Sequence, residues 1–155
     1  MKQTFLFLFI LGLFGCNHQN RIDSLENKVM NSYIPGFGDF MSSIQIHHNK
    51  LWFAGQNENW KLADFEVHEI MEAVNDIQKF RRERKESEMI EVIKPLLDSV
   101  NTAIQQQNLS LFKSSYILLT NTCNNCHRAA NFEFIVVKIP ETQTVSNQDF
   151  ETQKN

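Results

Sequence analysis

Cys123, Cys126 and His127 fall within five residues, in the run Cys123-Asn124-Asn125-Cys126-His127. On a helix, positions i, i+3 and i+4 share one face, so two thiols and one imidazole project together. At this spacing Cys-x-x-Cys-His is an attachment sequence for c-type haem. The thiols reach the two vinyl groups along one porphyrin edge, and the imidazole takes the proximal side of the iron. Thioether bonds keep the group attached even when the iron is reduced or its other ligand is lost. The second ring nitrogen of His127 is expected to donate to a backbone carbonyl or a side chain, which sets tautomer and ring orientation. The expectation is therefore one haem, covalently bound through Cys123 and Cys126, with His127 as an axial iron ligand.

Other chemistries for the cysteine pair fare worse. A structural zinc site needs four ligands, and the chain has no second Cys-x-x-Cys; His47 and His48 could join only by chance proximity. A thioredoxin-like redox pair follows a strand in a βαβ setting, whereas this motif closes a helix in a chain with little strand pattern. A disulfide remains open for an exported protein. None of the three accounts for a histidine directly after the second cysteine.

The N-terminus points to export. Lys2 precedes an apolar run, Phe5 to Phe14, that is too short for a mature membrane span and fits a signal-peptide core. Leu13-Phe14-Gly15-Cys16 then gives way to Asn17-His18-Gln19-Asn20-Arg21. That junction resembles a bacterial lipoprotein signal, in which the cysteine after a small residue is acylated and becomes the mature N-terminus; the alternative is an ordinary signal peptide with an unmodified cysteine. Lipidation at Cys16 would hold the protein on a membrane surface without a spanning helix. The expected location is the bacterial cell envelope, lipid-anchored and facing the periplasm. Cys16 is the third of three cysteines, so none is left over. Loss of residues 1–15 removes Lys2 alone among the charged side chains and moves the net charge from −3 to −4. With no broad basic stripe, nucleic acid is a poor partner.

The motif needs a rigid frame, and 155 residues with 42% apolar content allow one compact domain. Residues 16–38 read as a polar tether, with a short helical turn at Ile22–Met30 and a break at Tyr33-Ile34-Pro35-Gly36-Phe37-Gly38. Residues 39–131 carry four helical patterns. The first runs from about Asp39, as N-cap, to Ala54, with Gly55 as stop. The second runs from Asn57–Asn59 into Arg82–Lys85, with a stripe of Trp60, Ala63, Val67, Ile70, Val74 and Ile77 widened by Phe65, Met71 and Phe80. The third covers about Met89 to Gln106 and contains Pro95, which marks either its true start or a kink. The fourth spans Leu109 to about Ala129. Short connections favour an all-α, antiparallel four-helix bundle. Lys79 to Glu86 is a mixed charge run and reads as a solvated helix end. In the tail, residues 132–155, Phe132 to Ile139 suits one extended segment laid across the bundle, and Glu141 to Asn155 is polar and loosely ordered.

Four helices with Cys123, Cys126 and His127 near the end of the last one resemble the class II c-type cytochromes, cytochrome c′ and cytochrome c-556, over about Asp39 to Ala129. The resemblance implies a haem inside one end of the bundle, with the first helix covering its distal side. Low-spin members supply a methionine there; high-spin members leave the iron five-coordinate. Met41, near the start of the first helix, is the candidate sixth ligand, against a core methionine filling a gap. His48 lies two turns further along, about 10 Å of rise, and fits a propionate partner or polar contact better than a ligand. His47 faces elsewhere, and His68 reads as a satisfied, partly buried histidine. Arg128, Lys50 and Lys61 are candidate propionate partners. Trp52 and Trp60 are core residues by default. Family members generally stop soon after the motif, so the tail is a departure and is expected to cover the exposed haem edge. The family often pairs through its first two helices, so a homodimer is open.

One-electron transfer is the leading function: a membrane-anchored carrier, not an enzyme, meeting redox partner proteins at the haem edge through a small transient interface. The runner-up is binding or sensing of nitric oxide or carbon monoxide at an open sixth site. A peroxidase is a weaker third, since only His47 or His48 could serve as distal acid and base.

Overall fold

In the computed structural model, residues 19–29, 34–143 and 145–152 are described. The leader and Cys16 lie outside them. The described residues are helical with no strands. The chain divides into two compact units, Met1–Pro35 and Gly36–Asn155. In the first, residues 19–29 form one helix, α1, longer at its start than the turn expected at Ile22–Met30. Among the described residues no helix is long and apolar enough to cross a membrane.

The second unit opens with α2, Phe37–Gln56. Asp39 was the expected N-cap; instead it sits in the first turn, where its carboxylate accepts from the Gly36 N–H at 2.7 Å. That bond satisfies a donor at the helix start and places negative charge at the positive end of the helix dipole. Gly55 is not the stop either. The helix runs through it, and a β-carbon there would lie 2.1 Å from the Phe112 ring. Gly55 is a close-approach residue, and Glu58, at φ 54°, makes the turn.

Helix α3, Trp60–Phe80, is capped by the Asn59 side chain, which accepts from the Leu62 N–H at 3.3 Å. Ala63, Val67, Ile70, Val74 and Ile77 are buried as the stripe requires; Phe65 is 54% exposed and does not widen it. Two short pieces follow, α4 at Lys85–Met89 and a 3-10 turn at Ile90–Ile93. Helix α5, Lys94–Gln105, starts with Pro95 in its first turn, where a missing N–H costs nothing. Pro95 thus marks a true start rather than a kink. Helix α6, Leu109–Ala129, follows the sequence pattern and is capped by Asn108, which accepts from the Leu111 N–H at 3.0 Å.

Helix α2 packs on α3, α3 on α5, α5 on α6 and α6 on α2. Their apolar faces close one core that includes Leu51, Val67, Val74, Leu97, Val100, Phe112, Tyr116 and Leu119. Across α2 and α6, His48 meets Thr120, Trp52 meets Tyr116, and Gly55 faces Phe112. Among the described residues, the polar end of the tail makes contacts with the rest of this unit. Phe150 is buried against Phe53, and Asn59 donates to the Glu151 carbonyl at 3.1 Å.

Candidate functional site

Helix α6 carries the motif in its last two turns and places Cys123, Cys126 and His127 on one face. The helix then ends abruptly. The Phe132 N–H donates to the His127 carbonyl at 2.8 Å and the Asn131 N–H to Arg128 at 3.2 Å, with Asn131 left-handed at φ 62°. This is a Schellman cap with asparagine in place of the usual glycine. It reverses the chain, so that residues 132–139 run back beside the motif.

Two contacts lock the returning segment. The first is a reciprocal pair in which Asn124 Nδ2 donates to the Val137 carbonyl at 2.7 Å and the Val137 N–H donates to Asn124 Oδ1 at 2.8 Å. The second is His127 Nδ1 to the Ile135 carbonyl at 2.9 Å. A carbonyl oxygen only accepts, so Nδ1 must carry the proton, and in the neutral ring Nε2 keeps the lone pair. The sequence leads one to expect such a bond for His127 but does not name its partner. Ile135 acts through its backbone, and no side-chain pattern could have singled it out.

Cys123 and Cys126 are free thiols. Cys123 packs against the core, and burial, helped by nearby Cys126, pushes its pKa up to about 12. Burial also raises that of Cys126. Both therefore hold their protons at neutral pH. The site can offer one imidazole nitrogen for coordination and two thiols for thioether bonds. Among the described residues, no three His, Cys, Asp or Glu side chains are grouped to hold a metal ion by themselves.

The remaining candidates are distributed through the unit. Met41 lies half-buried in the first turns of α2, packed against the core. His48 is buried, with Nδ1 2.9 Å from the Tyr116 hydroxyl and Nε2 2.9 Å from the Thr120 hydroxyl. It makes the polar contact anticipated for it, and with both nitrogens engaged it is not placed to hold a propionate. His47 turns toward α3, with Nδ1 2.6 Å from Glu66 Oε2. Glu66 is a buried carboxylate that sequence reasoning missed; Lys50 Nζ stands 3.8 Å from its other oxygen. His68 is exposed rather than partly buried, 2.7 Å from the Asp64 carbonyl. Arg128 is exposed and donates to the Asn125 side chain, and Lys61 is exposed. Trp52 stacks in the core on Phe112 and Tyr116, and Trp60 meets Phe112 edge-on. The tail exposes Phe134 and Val136, at 75% and 72%, beside the motif.

No protein-family model matches this chain, and no curated protein or solved structure matches it.

Proposed function

We propose that this chain is a monohaem c-type cytochrome of the class II kind, an antiparallel four-helix bundle that carries single electrons at the surface of a bacterial membrane. The observation that carries this reading is the His127 Nδ1–H bond to the Ile135 carbonyl at 2.9 Å. It leaves the Nε2 lone pair free, beside two free thiols on the same helical face.

The residues fit the group. Cys123 and Cys126 would hold the group by thioether bonds, each thiol S–H adding across one vinyl so that sulfur goes to one carbon and hydrogen to the other. His127 would offer Nε2 to the iron, its ring held from behind by the Ile135 carbonyl. Bound haem supplies Fe(III)/Fe(II) one-electron cycling. The antiparallel arrangement is supported by the α2 and α6 contacts, in which 48, 52 and 55 climb while 120, 116 and 112 fall. Continued along both helices, the same offset would put Met41 level with His127, which favours Met41 as the residue that would supply a sixth ligand.

The anchor is assigned to Cys16 and the location to the periplasmic face of a membrane, on the leader sequence. Redox proteins are the partners. The deciding experiment expresses the full chain with the c-type maturation machinery, followed by a haem-stained gel and a reduced pyridine spectrum. A stained band at the size of the chain, with a spectrum of two saturated thioether linkages, is expected. Colourless, exported protein with both thiols free or joined to each other would overturn the reading.

A further inference from the structure

The segment after the motif does more than cover a surface. Its backbone touches the imidazole itself, through the Ile135 carbonyl, and its position is set by a residue inside the motif, Asn124. Asn124 and Asn125 are the two intervening residues of Cys-x-x-Cys, identical in type, yet they differ in task. Asn124 is half-buried and makes two bonds to Val137, whereas Asn125 is exposed and meets only the Arg128 side chain in the described contacts. The segment's own end is tied as well, by half-buried Ile139 packed against the core.

We infer that residues 132–139 form a strap that positions His127, with Asn124 as the positioning residue that clamps it and the Ile135 carbonyl as the acceptor that fixes the ring. The inference rests on the haem reading for its consequence but not for its geometry. A free imidazole in water favours the tautomer protonated at Nε2, so holding the proton at Nδ1 requires an acceptor that cannot itself donate. A backbone carbonyl meets that condition. The bond also makes the imidazole a more basic ligand. A more basic ligand stabilises the oxidised iron, and the strap therefore lowers the reduction potential. The reciprocal amide pair determines how firmly the carbonyl is presented: two hydrogen bonds separate a fixed acceptor from a swinging one.

The test compares Asn124→Ala with Asn125→Ala, and adds Val137→Pro, which removes the donor from the strap side without touching the motif. In haem-free protein, long-range nitrogen–proton NMR reads the His127 tautomer and hydrogen exchange reads the Val137 amide. The wild type and N125A are expected to hold the Nδ1–H form, while N124A and V137P shift to a tautomer mixture. In N124A the Val137 amide is expected to exchange about tenfold faster or more. In haem-loaded protein, N124A and V137P move the reduction potential to more positive values and N125A leaves it in place. The inference is overturned if N124A and V137P keep the wild-type tautomer, or if the tautomer changes and the potential does not. Should the chain prove unable to take up haem, the haem reading fails and the tautomer comparison alone decides the strap.

Discussion

His48 and Tyr116 form a closed pair between α2 and α6: the tyrosine hydroxyl donates to the His48 carbonyl at 2.7 Å and lies 2.9 Å from the same residue's Nδ1. Thr120 repeats the pattern on the other side, donating to the Tyr116 carbonyl at 2.9 Å while standing 2.9 Å from Nε2. A charged ring could donate at both nitrogens. Charging it would also bury a cation with no carboxylate among its hydrogen-bond partners, and the cost of desolvation exceeds that of one reoriented hydroxyl. Burial accordingly lowers the His48 pKa to about 4, and the tyrosine is pushed above the usual phenol range.

A pH dependence follows from this depression. The unfolded chain binds a proton at His48 near pH 6.5 and the folded chain near 4, so between those values the unfolded state holds more protons. The contribution is present in full above pH 6.5 and is lost as pH falls toward 4, in total about 3 kcal/mol. Urea unfolding at pH 7.5 and pH 4.5 should show this loss in the wild type. His48→Gln should show a flatter dependence by that amount; equal slopes in both proteins would contradict the assignment.

Gly55 tests the packing of α2 on α6. A β-carbon at this position would overlap three atoms of the Phe112 ring, the nearest at 2.1 Å. Phe112 is fully buried between Trp52, Trp60 and Tyr116, so it has little room to withdraw. Alanine is normally the better helix former by about 1 kcal/mol. Here Gly55→Ala should instead destabilise by roughly 1–3 kcal/mol. A thermal melt shifted upward would show that the two helices do not approach as described.

The two motif cysteines should react unequally before any haem is attached. Cys123 packs against the core with its pKa pushed up to about 12, so little thiolate is available to an alkylating reagent. At pH 8, iodoacetamide should modify Cys126 on the order of tenfold faster or more. Mass spectrometry of peptides containing both residues, fragmented between them, reads the ratio. Equal rates would place Cys123 outside the core.

Met41 is the test of the sixth ligand. In the haem-loaded wild type, a low-spin ferric spectrum with a sulfur-to-iron band is expected, along with resistance to carbon monoxide after reduction. Met41→Ala should abolish the band and open the iron to carbon monoxide. Rapid carbon monoxide binding by the untouched protein would favour a gas-binding role instead.

Much of the frame was legible from periodicity. Helix α6 runs over the residues its pattern marks, and Asn59 and Asn108 cap helices because a short amide side chain can bond a free backbone N–H locally. The motif was legible for the same reason: three side chains on one helical face depend only on the rise and turn of that helix. Gly55 and Asp39 were misread because their signals are local while their tasks depend on a neighbour. Glycine after an apolar stretch imitates a helix stop, and only α6 shows that the missing side chain makes room for Phe112. Phe150, a lone aromatic in a polar tail, has no pattern to announce its burial.

By itself, then, the sequence determined that two thiols and an imidazole share one face and which helix presents them, because both follow from chain-local geometry. The tertiary structure decided the state of those atoms. The fold alone brings the Ile135 carbonyl behind His127, packs Cys123 against the core and turns His47 toward Glu66. A proton on one ring nitrogen rather than the other is settled by an acceptor eight residues away, and that acceptor arrives only when the chain reverses and is clamped.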